Sequence, residues 1–176
     1  MVEVERKDSV DQYTQKTFSV VDELAYTDAN VQVVSSYLEA SRILGKPDCR
    51  DRALGALEFL WNHCRASDGG MRHYHDGEPQ VPGLLVDQVH TGIALLGAYG
   101  VTGEAKYLKS AVQLGDEMLN ARTNPAGGFH DISCEGMAHL RYPLTLLVEN
   151  GIAAILFLRL ATPPRNGSTE KRLFGP

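Results

Sequence analysis

The sequence predicts an all-α fold: a partial (α/α) toroid of about two and a half helical hairpins, with an inner and an outer layer of helices. Three observations carry this. Landmarks recur at an offset of 58 or 59 residues, helices that are apolar nearly all round alternate with helices apolar on one side only, and turn chemistry sits at each boundary between them.

The repeat is read first, because internal periodicity decides the architecture. Asp28-Ala29-Asn30 opens one long apolar segment and Asp87-Gln88-Val89 opens another 59 positions later. Gly45 and Gly103, each near a helix end, lie 58 apart, as do the double glycines Gly69-Gly70 and Gly127-Gly128. A short polar and aromatic stretch follows each double glycine, Met71 to Asp76 in the first unit and Phe129 to Asp131 in the second. A third unit begins at Glu149-Asn150, and Ser168 to Phe174 reads as the start of its partner helix.

Segments 30–44, 88–99 and 150–161 are the all-round apolar ones, marked by Val31, Val34 and Leu38 in the first and by Val89, Ile93 and Leu96 in the second. A helix without a polar face must be packed on most sides, so these form the inner layer. Segments 49–65 and 104–120 are amphipathic and form the outer layer. Leu54, Leu57, Leu60, Trp61 and Cys64 make the stripe of the first, and Leu108, Ala111, Val112, Gly115, Met118 and Leu119 that of the second. Thr27 or Asp28 is placed to cap the first inner helix and Asp87 the second. Gly45, Gly100 and Gly103 suit left-handed C-terminal turns, and Pro47 suits a helix start. Residues 1–26 are charged, with little periodicity, and read as an N-terminal arm in which a helix over 8–21 and a poorly ordered end are both compatible. The toroid domain is 27–176.

Composition narrows the function. A net charge of −5 with scattered Lys and Arg excludes a nucleic-acid surface, and the basic cluster from Arg165 to Arg172 reads as a solvated tail. The longest apolar run, Gly151 to Leu158, is too short to cross a bilayer, so no membrane is expected. No secretory signal is visible, and three cysteines in no CxxC arrangement suit a reducing compartment, so a cytoplasmic protein is expected and Asn166-Gly167-Ser168 is a chance glycosylation match. There is no G-x-S-x-G elbow and no phosphate-cradling glycine loop, so no cofactor is expected. Cys64 lies on an apolar stripe, where a thiol is inert, while Cys134 falls in a loop-like stretch.

Tyr26-Thr27-Asp28-Ala29-Asn30, Asp76-Gly77 with Pro82-Gly83-Leu84-Leu85, Asp87-Gln88-Val89-His90 and Val148-Glu149-Asn150 resemble the helical region of thioredoxin-domain-containing proteins of the spermatogenesis-associated thioredoxin-like family. In that family a thioredoxin-like domain precedes a helical toroid similar to six-hairpin glycosidases and N-acylglucosamine 2-epimerases. The resemblance spans about residues 26–174. It implies that the rest of the toroid and a thioredoxin-like domain are this chain's partners in a longer protein, since no CxxC pair or βαβ pattern is present and six such hairpins need on the order of 350 residues.

The resemblance also implies that the inner helix N-termini converge on one mouth of a central cavity. Asp87, His90 and Glu149 are then the candidate catalytic residues, and Asp28, Asn30, His73, His130 and Asn150 the candidate ligand-binding ones, for a sugar ligand. Carboxylates across a cavity serve glycoside chemistry as acid and base, and a His can shuttle a proton in epimerisation. The bland readings are helix capping for Asp28 and Asp87, first-turn dipole compensation for Glu149 and an ordinary hydrogen bond for His90. His73-Tyr74-His75-Asp76 places two imidazoles on one face of a strand, but a third or fourth ligand at recognisable spacing is missing, so no metal is expected. The alternative to a carbohydrate-active domain is a non-catalytic helical interaction module, whose uncovered inner helices could pair two copies into a homodimer.

Overall fold

The computed structural model describes residues 5–10, 17–21, 24–132 and 143–162. Five helices dominate: α1 (Thr27–Leu44), α2 (Pro47–His63), α3 (Leu85–Thr102), α4 (Ala105–Ala121) and α5 (Leu147–Ala161). The closest packing joins α1 to α2, α1 to α3, α3 to α4 and α3 to α5. Inner helices α1, α3 and α5 therefore lie side by side, and α2 and α4 cover them from outside. This is a partial (α/α) toroid in two layers.

The core explains the order. Val31, Val34 and Leu38 of α1 meet Leu57 and Leu60 of α2 and Leu85, Val89, Leu95 and Leu96 of α3 in one cluster that runs on to Ala111, Leu114 and Met118 of α4 and Leu156 of α5. Among the described residues, only α3 is buried on nearly every side, because it alone of the inner helices has a neighbour on each flank. On α1, Val33, Tyr37, Ile43 and Leu44 are exposed, and on α5, Leu147, Val148, Ile155 and Leu158 are. These two helices end the arc, so their all-round apolar character is only half used among the described residues. At the α3–α5 crossing, a Cβ on Gly92 would lie 2.7 Å from Leu156 Cδ2, so the missing side chain sets how closely the two helices approach.

Local corrections follow from where the helices begin. Each inner helix starts two or three residues earlier than its acidic residue suggested, with Tyr26, Leu84 and Leu146 as N-caps. Asp28 and Asp87 are thus inside the first turn rather than at the cap. Asp87 reaches back, Oδ2 accepting from Leu84 N at 2.7 Å. The Thr27 hydroxyl instead donates to Arg72 O. Gly45 and Gly103 are left-handed C-caps as the sequence implies, but Gly100 stays within α3. The α4 stripe is also rotated from expectation: Tyr107 and Leu114 are buried, while Val112 and Leu119 are 43% and 50% exposed. Tyr107 begins the stripe because its ring can pack while its hydroxyl donates to Glu58 Oε1 on α2.

The N-terminal arm holds an antiparallel hairpin, β1 (Glu5–Val10) with β2 (Thr17–Val21), in place of a helix over 8–21. Thr17, Phe18, Val20 and Val21 are β-branched or aromatic, which favours a pleated strand over a helix. A second sheet orders β3 (Ala25–Tyr26), β4 (Arg72–Asp76) and β5 (Glu78–Pro82), all antiparallel. The expected partner helix over 168–174, Cys134 and the basic tail from Arg165 to Arg172 lie outside the described residues. No described helix is long and apolar enough to cross a membrane.

The 58-residue repeat is visible as repeated bonds. The bridges Arg65–Met71 and Thr123–Phe129 are equivalent, and the turn bonds Ala66 N to Gly70 O and Asn124 N to Gly128 O match them. Gly83 follows β5 where the chain crosses Met71, and a Cβ there would lie 1.6 Å from Met71 O and 2.5 Å from Gln88 Nε2. Gly83→Ala is expected to cost about 3 kcal/mol or more, because backbone must move to admit it. Gly55→Ala, on the open face of α2 with nothing within 4 Å, is expected to stabilise the protein by roughly 0.5–1 kcal/mol. Urea denaturation of the two variants checks both signs.

Candidate functional site at the N-terminal ends of the inner helices

A single frame builds this end of the molecule. The fifth residue counted from each inner N-cap is an amide, Asn30, Gln88 and Asn150, and each donates to the carbonyl of its own N-cap residue at 2.6, 3.2 and 2.8 Å. Two of them also grip the chain beyond a double glycine. Gln88 accepts from Met71 N at 2.8 Å and donates to Met71 O at 2.9 Å. Asn150 does the same to Phe129, at 2.7 and 2.9 Å. The Asn150 amide is therefore committed at both ends to the frame. Gln88 was not among the sequence candidates, although its place between Asn30 and Asn150 in the repeat was the signal that could have found it.

Clamping Met71 delivers β4 to the start of α3. His73 Nδ1 then lies 3.1 and 3.2 Å from the two carboxylate oxygens of Asp87, which is fully buried. Asp28, from the first turn of α1, completes a cluster in which one ligand atom each from Asp28, His73 and Asp87 lie within 4.8 Å of one another. Tyr26 sets an edge against the His73 ring at 5.7 Å between centroids, and Tyr74 flanks it at 6.4 Å. Of the strand residues singled out in the sequence, His73 alone joins this cluster. His75 turns to His63 and Phe59, at 5.5 and 5.9 Å, and Asp76 is exposed at the strand end. His73 and His75 share a strand face but do not meet at one site, because His73 reaches Asp87 on α3 while His75 packs on Phe59 and His63 of α2.

His90, one turn into α3 from Asp87, is half-buried and senses the carboxylates of Asp28, Asp87 and Glu149. Burial outweighs their attraction for a proton and holds its pKa below the ordinary value. His73 is shifted the other way, upward, chiefly by its bond to Asp87. Burial pushes the Asp87 carboxyl up, partly offset by His73 and the Leu84 N–H. His130 stands apart: its N–H donates to Arg122 O, and its Nδ1 is buried without a partner among the described residues. Cys64 is buried, and burial raises its thiol pKa, which leaves it a poor nucleophile.

The arrangement can bind hydroxyl-rich or cationic groups, and it holds one imidazole that is neutral near pH 7 beside several carboxylates. Asp28, His73 and Asp87 are the only three groups among the described residues that converge closely enough to hold a metal ion.

The class these observations define is the (α/α) toroid, and solved structures of that shape are similar to it. A family 76 glycoside hydrolase, a mannosidase from Bacteroides thetaiotaomicron, superposes with a TM-score of 0.69 over 90% of this chain and 43% of its own, at 14% identity. Cellobiose 2-epimerase from Bacillus thermoamylovorans gives 0.67 over 88% of this chain and 44% of its own, at 17% identity. A family 76 glycoside hydrolase from a bovine Bacteroides thetaiotaomicron strain gives 0.67 over 85% and 34%, at 17% identity. This chain thus spans less than half the length of these structures, and the likeness is one of fold. No family model matches the sequence, and no curated protein matches it.

In chelator-treated protein, histidine titration followed by NMR is expected to separate His90 and His73 to opposite sides of 6.5. The stability tied to His90 is fully present above its unfolded value and is lost as pH falls from there through its lower folded value, since over that window the unfolded chain binds the extra proton. His73 works in reverse: its contribution is complete below its unfolded value and is lost as pH rises through its folded one.

Proposed function

We propose that the N-terminal mouth of the inner helices is a carbohydrate site, and that this chain is part of a carbohydrate-active toroid. The observation that carries the reading is the half-buried, neutral His90 set among Asp28, Asp87 and Glu149. The half-buried Asp28 and Glu149 carboxylates can accept hydrogen bonds from sugar hydroxyls, with the fully buried Asp87 behind them, and Tyr26 and Tyr74 offer apolar ring surface to a pyranose. A neutral imidazole can take a proton from carbon beside the carbonyl of an open-chain sugar, as epimerisation requires. A pair of carboxyl groups across the mouth would serve glycoside hydrolysis instead. Glycoside hydrolases and sugar epimerases among the structures of this shape support a sugar over other polyols. On the motif resemblance, the remaining hairpins and a thioredoxin-like domain belong to the same longer protein.

Saturation-transfer NMR against mannose, mannobiose, cellobiose and N-acetylglucosamine tests this. At least one sugar is expected to bind, and His90→Gln and Glu149→Gln are each expected to weaken it about tenfold or more while the melting temperature holds. Sugars that all fail to bind, to this chain and to the longer protein alike, would overturn the proposal.

One observation favours a second reading, a non-catalytic interaction module: the exposed apolar flanks of α1 and α5, including Ile43 at 66% and Leu147 at 88% exposure. On this reading light scattering gives a dimer whose dissociation is promoted by Leu147→Glu with Ile43→Glu. A monomer that binds no apolar dye rules it out.

A further inference from the structure

We propose that Asp28, His73 and Asp87 form a divalent metal site, of the zinc or manganese class, independent of whether the mouth binds a sugar. Their donor atoms come from three separate elements, the first turn of α1, strand β4 and the first turn of α3, and all lie within 4.8 Å of one another. Ligands around zinc sit at 2.0–2.2 Å from the ion, which puts neighbouring donors roughly 3.3 Å apart. The observed 3.1–3.2 Å between His73 Nδ1 and the Asp87 oxygens is already of that size. The two remaining edges, both to the half-buried Asp28, lie within 4.8 Å, and a turn of that side chain would shorten them.

The site is also held in shape by bonds that leave donors to spare. Asp87 Oδ2 is fixed by the Leu84 N–H, which leaves Oδ1 toward His73. The His73 ring packs in T-shaped contact with both Tyr26 and Tyr74, whose own centroids are 5.9 Å apart, so its plane is restricted before any ion arrives. The charge balance asks for a cation. Two carboxylates share this space, one fully buried, and no Lys or Arg pairs with either among the described residues. Among the described residues the paired counter-charge is the His73 imidazole proton, and the ion takes the place of the proton that Nδ1 otherwise shares with Asp87. One turn beyond Asp87 on the same helix, the Thr91 hydroxyl is wholly buried and has no partner among the described residues.

The donor set decides the ion. One nitrogen and two carboxylates suit zinc or manganese, whereas magnesium and calcium prefer oxygen alone. Three protein ligands leave at least one position open, the hallmark of a site that meets water or substrate rather than a purely structural one.

Titration calorimetry of the chelator-stripped chain with Zn²⁺ and with Mn²⁺ tests the proposal. One ion per chain is expected, with Asp28→Asn and His73→Gln each weakening it by at least about tenfold while circular dichroism stays unchanged. The exposed His63 and half-buried His75, packed ring to ring, could capture zinc by chance, so His63→Ala with His75→Ala is the control and is expected to leave the titration as it was. Binding lost in that control but kept in Asp28→Asn, or no binding tighter than about 100 μM, overturns the site. Because the readout is metal binding alone, its failure leaves the sugar reading untouched, and the converse holds.

Discussion

The grip of a buried side-chain amide on the backbone of the preceding loop is what the rest of this structure depends on. Gln88 satisfies both the N–H and the carbonyl of Met71, a residue with no exposed surface. Left alone, each of those groups would cost about 1–3 kcal/mol in a dry site. The clamp offsets that cost and fixes where β4 leaves the core. Everything at the mouth is measured from there: two residues on, His73 reaches Asp87, and Asp87 in turn holds the start of α3 through Leu84. Gly83 belongs to the same constraint, since no side chain fits where the strand crosses the clamp.

On this frame rests an electrostatic arrangement that would be unfavourable in isolation. A fully buried carboxylate is costly unless it is paired and hydrogen-bonded, and Asp87 is both, through His73 and Leu84. Burial raises the Asp87 carboxyl and lowers His90 a turn away, while the bond to Asp87 lifts His73 against its own burial, so the two imidazoles move in opposite directions. Such divergence is common where proton transfer or ion binding is performed.

The architecture was largely legible in the sequence because periodicity and turn residues are local signals. The double glycines, the C-caps Gly45 and Gly103 and the two layers all stand where the 58-residue repeat puts them. The candidate site was legible only in outline. Asp28, Asp87 and His73 were visible as residues, but their meeting depends on a strand register and a side-chain clamp spanning 17 positions, which no local pattern encodes. Helix starts were misplaced because Leu84 and Leu146 act as N-caps without a capping side chain, so the acidic residues inside the first turn looked like the boundary. The hairpin within the arm was not legible because the strand propensity of Thr17–Val21 comes without an apolar period long enough to reveal it.

The two clamps grip residues at different reach. Gln88 holds a residue 17 positions before it and Asn150 one 21 before it, although the bridges they anchor are spaced by the common repeat. The chain between grip and helix is therefore free to change length without disturbing how the helices stack. Such a scaffold works like a socket with interchangeable inserts: the walls of the mouth can be rewritten by insertion or deletion, one unit at a time, while the arc of helices that carries them keeps its shape.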